Sequence, residues 1–205
     1  MKNLITVLLI TLTGLACAQP KNQDLSSIDP RLNNGFVMTA MKLTAAEFKG
    51  QMPPGTDNIS DSKMLMGLRK LQAIQSTDTR SKYLFQVIPY FSFSSWLADT
   101  VKNNPELLAR VLNHEQSHYD IHLLMAAELK KQLSETYFDR REYARGILDI
   151  RDKLSREELK INQLYQAETN YGRNTGRQKE WDTLIDKAMQ AKSWAVLMQY
   201  ASGKI

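Results

Sequence analysis

Cysteine is all but missing from this chain of 205 residues: there is one, Cys17, and it falls within the apolar opening stretch. Once that stretch is removed no thiol remains. Disulfides, thiolate metal ligands and a cysteine nucleophile are then excluded, and any metal must be held by His, Asp, Glu or Tyr. Long apolar runs are missing as well. The opening run from Leu4 to Leu15 is too short for a bilayer span of about 20 residues, and no later segment does better. There is no internal repeat and no low-complexity run. Lys and Arg exceed Asp and Glu by 27 to 22, a net charge of +5, but the two signs are interleaved. No aromatic-studded basic patch of the nucleic-acid-binding kind exists, which argues against a nucleic-acid partner.

What is present begins with an export signal. Lys2 supplies a positive start, Leu4 to Leu15 the apolar region, and Ala16-Cys17-Ala18 small residues at a cleavage site. The mature chain then begins at Gln19 and loses only Lys2 among its charges, leaving +4 from +5. Cys17 has a second reading as a lipid-anchored cysteine, against which stands Gly14 three residues before it, where such a motif wants Leu. The product is exported, either periplasmic or secreted, with lipid anchoring at Cys17 as the alternative. Residues 1–18 are read as signal, 19–34 as a flexible polar leader, 35–190 as one domain and 191–205 as a C-terminal tail.

Within the domain, Phe36 to Leu43 alternates as a strand does. A Gly-Pro-rich break follows at 50–62, and Met64 to Ile74 suits either a strand or a short helix. Tyr83 to Phe93 has the strongest strand composition, although Pro89 points to an edge or a bulge. From Asn104 the pattern becomes helical. Asn104 and Pro105 form a cap and first-turn signal, and a helix of about 29 residues to Leu133 follows. Asp139 to Tyr171 reads as one or two helices, with breaks at Gly146 or in Arg151 to Glu158. Gly172 to Gly176 is a loop, and a last helix carries Trp181, Leu184, Ile185, Ala188 and Met189. Strands first and helices after is the α+β pattern.

All three histidines, His114, His118 and His122, lie within nine residues of the long helix. They share its apolar face with Leu107, Leu108, Val111, Tyr119, Met125, Ala126 and Leu129, and so does Glu115. Imidazoles and a carboxylate sent into a core need partners. A hydrogen-bonded core cluster would provide them. The alternative is a divalent ion: His-Glu-x-x-His presents two imidazoles one turn apart and sets Glu115 beside them to hold a water. With zinc bound, Glu115 serves as general base and later as proton donor to a leaving amine. His122 stands about 12 Å along the axis from His114, which assigns it a supporting or core role. Asp120 is expected on the solvent side.

A third protein ligand must come from another element. Glu168 is one candidate, because Ile161, Leu164 and Glu168 share a face. Its alternative reading is an ordinary surface or capping charge. Tyr171, three residues on, is the other candidate, or else a core or rim residue.

Four stretches taken in order, KLTAAEFKG at 42–50, FQVIPYFSFSSW at 85–96, VLNHEQSHYDI at 111–121 and YQAETNYGRN with Gln178 and Trp181 downstream, resemble the predicted secreted zinc-dependent proteases, a bacterial domain of unknown function with an HEQxH motif. The resemblance spans about residues 36–185. It implies a zincin-like fold, a small antiparallel sheet packed on the HExxH helix and further helices, with His114 and His118 as zinc ligands and Glu115 as general base. It also implies a peptide or protein substrate in the cell envelope. The family pattern usually places a His, the apparent third ligand, where this chain has Tyr171. A zinc metallopeptidase is therefore the first expectation. A non-catalytic envelope protein of the same fold, with a weak or degenerate metal site and a binding role, is the second, and a purely structural histidine cluster the third.

Overall fold

Asn104 and Pro105 do what their chemistry suggests. The Asn104 Oδ1 accepts the Leu107 N–H, Pro105 takes the first turn, and the helix α2 runs from Pro105 to Glu135. One side of α2 lies on a sheet whose spine is the strand β4 (Arg80–Ser92). Phe85 of that strand meets Ile121, Met125, Leu129 and Leu133 in the main core. Fully burying such a side chain contributes about 1.5–3 kcal/mol, so this seam fixes where α2 lies. The structure, a computed structural model, describes residues 34–203. The signal expected at 1–18, with Cys17, and nearly all of the leader expected at 19–34 lie outside the described residues.

Strand β3 (Met64–Ser76) pairs with β4 along one edge, antiparallel. Met66 and Leu68 pack on the core together with Tyr83 and Val87 of β4, an alternation that settles Met64 to Ile74 as strand. Two short strands share the other edge of β4: β1 (Gly35–Val37) pairs with residues 90–92 and β6 (Phe138–Asp139) with residues 80–81. Pro89 therefore sits in a central strand, in the gap between the two partners. Its carbonyl accepts from Met38 N–H on the side away from β3, so the donor it lacks is not one that β3 uses, and β1 ends where that return bond would fall. The strand expected to reach Leu43 stops at Val37. Beyond it, Thr44 and Glu47 form a capping box that starts a 3-10 turn at Ala45–Glu47.

A separate ribbon joins β2 (Ser60–Asp61) to β5 (Trp96–Leu97), and a short helix α1 (Asp99–Lys102) follows. The second long helix, α3 (Tyr143–Thr169), is unbroken. Gly146 is a place of close approach instead of a break, since a Cβ there would lie 2.9 Å from the Phe138 ring. After a loop come α4 (Thr175–Ala191) and α5 (Trp194–Ser202). The expected 191–205 tail is thus corrected: Trp194, Leu197 and Ala201 are buried in the main core. The protein is α+β, a small antiparallel sheet with several helices. Among the described residues no helix is long and apolar enough to cross a membrane.

Candidate functional site

On the first half of α2, one helical face forms the floor of a cavity of about 580 Å³ lined by Val111, His114, Glu115 and His118. One wall is the segment 57–64 that carries β2. The other is α3, through Leu159, Asn162, Gln163 and Gln166, continued by Tyr171 and Arg173 in the α3–α4 loop. His114, Glu115 and His118 are all buried as residues, yet they border this space.

The two imidazoles are held alike. His114 Nδ1 lies 3.4 Å from Gln178 Oε1, and His118 Nδ1 lies 2.7 Å from Asn162 Oδ1. Gln178 donates from Nε2 to the Asp182 carboxylate at 2.8 Å, which fixes its oxygen end toward His114. A ring nitrogen facing an amide oxygen is the protonated one, so each Nε2 keeps its lone pair. Neither Nε2 has a hydrogen-bond partner among the described residues. The ring centroids are 4.9 Å apart with planes at 90°, and Tyr165 stacks on His114 at 4.8 Å. Burial, and secondarily the neighbouring His118, push the His114 pKa down to about 4 against the opposing pull of Glu115. His114 is therefore neutral at neutral pH, the form that can donate a lone pair.

Glu115 turns to the opposite wall. Its Oε1 accepts the Ser60 hydroxyl at 2.5 Å and its Oε2 accepts the Ser62 hydroxyl. The carboxylate is thus oriented by two donors from the β2 ribbon, and each oxygen retains further acceptor capacity.

The remaining sequence candidates separate. Glu168 is corrected: it does not border the cavity but pairs with Arg177 and accepts from Trp181 Nε1 and Tyr200 Oη, both at 2.8 Å. Asn162 and Gln166 project from α3 about half a turn away from Ile161, Leu164 and Glu168, so the apolar face that includes Glu168 points toward α4 and α5. Tyr171 does border the cavity and is 62% exposed. His122 stands apart from it and ties three elements together, with Nδ1 2.7 Å from Glu158 Oε1 and Nε2 3.2 Å from the Leu65 carbonyl. Asp120, expected on the solvent side, is half-buried and accepts from Gln116 Nε2; burial raises its pKa to about 6.

Sequence reasoning missed Ser60, Ser62, Asn162 and Asp182, and used Gln178 only as part of a pattern. The available signal was the neutral polar row Asn162, Gln163 and Gln166 at helical spacing beside an apolar face. Among the described residues, no group of three or more His, Cys, Asp or Glu side chains is arranged to hold a metal ion. The donor set is two imidazoles, with Tyr171 at the rim. No family model, no curated protein and no solved structure matches the chain.

Proposed function

We propose that this chain is an exported zinc-dependent amide hydrolase of the metallopeptidase type, acting on peptides or proteins of the cell envelope. The observation that carries the reading is the matched pair of rings. Each has its Nδ1 proton given to a side-chain amide oxygen and its Nε2 left without a protein partner beside a cavity. Amide oxygens behind metal-ligating histidines fix the tautomer in this way. Both nitrogens belong to residues that line the cavity, where an ion or water can reach them.

His114 and His118 would hold the ion through Nε2. Tyr171 or water would complete the set, since Glu168 is committed elsewhere. Zinc, when bound, supplies Lewis acidity that acidifies water toward neutrality and polarises a carbonyl. Glu115 does the proton work: fixed by Ser60 and Ser62, it takes a proton from water and returns it to the departing amine. The sheet beside the HExxH helix is, in this reading, a zincin-like arrangement.

The test is zinc per chain after mild purification, followed by hydrolysis of a mixed peptide set with and without chelator. About one zinc, chelator-sensitive cleavage and its loss in Glu115→Gln are expected. A metal-free chain, or cleavage that survives Glu115→Gln, ends the proposal. The two-residue donor set favours a second reading, a non-catalytic binder with a weak metal site. That reading predicts no hydrolysis even when zinc is saturating.

A further inference from the structure

We infer that the cavity receives a peptide by a free carboxylate, with Arg173 as the anchor; the inference deepens the peptidase reading and shares its cavity. The α3–α4 loop motivates it. Asn170, Tyr171 and Gly172 are consecutively left-handed, with φ of 48°, 54° and 74°. Side chains with a Cβ adopt that region at a cost, and a bulky aromatic there is an outlier. The loop is held in place by its hydrogen bonds: Arg173 N–H donates to the Asn170 carbonyl at 3.1 Å and Asn174 N–H to the Thr169 carbonyl at 2.8 Å. Gly172 is pressed against His114, where a Cβ would come within 3.1 Å of the His114 Cβ. The strained turn therefore has a definite product. It sets Tyr171 and Arg173 on the cavity rim beside His114.

Arg173 has no ion pair and no side-chain hydrogen bond among the described residues, although it borders the cavity and is exposed. Arg177, one turn into α4, is by contrast paired with both Glu168 and Glu180. The two walls also differ in sign. Ser60 and Ser62 attach Glu115 to the wall that holds Asp57, and Asp61 with its ion-pair partner Lys63 at 3.8 Å, whereas Asn162 attaches His118 to the wall that continues to Arg173. A short peptide fits that polarity with its carboxylate on the guanidinium and any free amine toward Asp57. A guanidinium takes a carboxylate in bidentate fashion. The exposed Tyr171 ring offers a flat amphipathic surface beside it. The 580 Å³ volume lies in the range of about 300–1,000 Å³ typical of small-ligand sites.

The experiment is calorimetric titration of the full mature chain carrying Glu115→Gln, in which nothing is expected to turn over. The probes are N-acetyl-Ala-Ala, its C-terminal amide, and N-acetyl-Ala-Glu amide. The first should bind at least about tenfold more tightly than its amide, as expected for a charge-assisted pair. Arg173→Gln should abolish that difference, and Arg173→Lys should restore part of it. The third probe separates a terminal carboxylate from a side-chain one, and either preference supports the anchor. Failure of both carboxylate probes to bind more tightly than the N-acetyl-Ala-Ala amide, no binding of any probe, or a preference that persists in Arg173→Gln overturns it. Carboxylate-dependent binding together with an unsubstituted, zinc-saturated chain that hydrolyses nothing would sink the peptidase reading alone, and hydrolysis by that chain with no dependence on a carboxylate would sink the anchor alone.

Discussion

An imidazole can serve a metal only if one nitrogen surrenders its proton and the other keeps one, and here that choice is made by amides. Gln178 and Asn162 come from different helices, α4 and α3, yet each offers an oxygen to the Nδ1 of one histidine. Asp182 in turn orients Gln178, and Tyr165 donates to the same Gln178 oxygen at 2.9 Å. Replacing either amide by Leu removes the acceptor while roughly keeping the volume. The ring is then free to rotate or to swap tautomers. Gln178→Leu and Asn162→Leu are each expected to weaken zinc binding about 10–100-fold, read by competition with a chromophoric chelator. Zinc affinity unchanged in both would mean that the amides are packing neighbours and nothing more.

At the scale of elements, the α3–α4 loop is the part where shape and chemistry are most tightly joined. Gly172 combines a φ of 74° with a Cβ position only 3.1 Å from His114. Gly172→Ala should cost about 1–3 kcal/mol from backbone strain and displace His114 from its oxygen partner. Urea denaturation would read the first effect and zinc competition the second; a variant as stable and as zinc-avid as the parent would show that the loop is soft. This loop also marks the limit of what the sequence disclosed. Asn104-Pro105 and a 3.6-residue period made α2 and its buried His-Glu-x-x-His face readable, because caps and periodicity are local. Asn170, the left-handed residue that ends α3, carries a weak local signal because Asn tolerates that region, but Tyr171 carries none, since left-handed backbone at a bulky aromatic is imposed by its surroundings. Lys192 repeats the lesson: at φ 49° it ends α4 and lets α5 begin, where the sequence suggested only a tail. Gly146 misled in the opposite direction, its role being contact with Phe138 and not a break. Glu168 was read correctly as lying on an apolar face of α3, but one helix's pattern does not say which neighbour that face meets.

For the molecule as a whole, the consequence is that the last helix supports the site from behind. Trp194, Leu197 and Ala201 of α5 are buried in the same core as Tyr165 and Trp181. Trp181 and Tyr200 meet edge to face at 5.0 Å, and both donate to Glu168. Tyr165 then stacks on His114, so a continuous run of rings connects α5 to the candidate centre. Burial of Trp194 and Leu197 alone contributes roughly 3–6 kcal/mol, against a total stability of about 5–15 kcal/mol for an ordinary domain. Ending the chain at Ala191 removes that contribution and leaves Trp181 uncovered on one side. The truncated protein should lose its cooperative thermal transition, or show one lowered by more than about 10 °C, and should bind zinc more weakly than the full chain because Tyr165 is no longer braced. Calorimetry and zinc competition on the two forms decide the matter. A truncated chain that melts and binds as the full one does would reduce α5 to an appendage and cut the proposed connection between core and site.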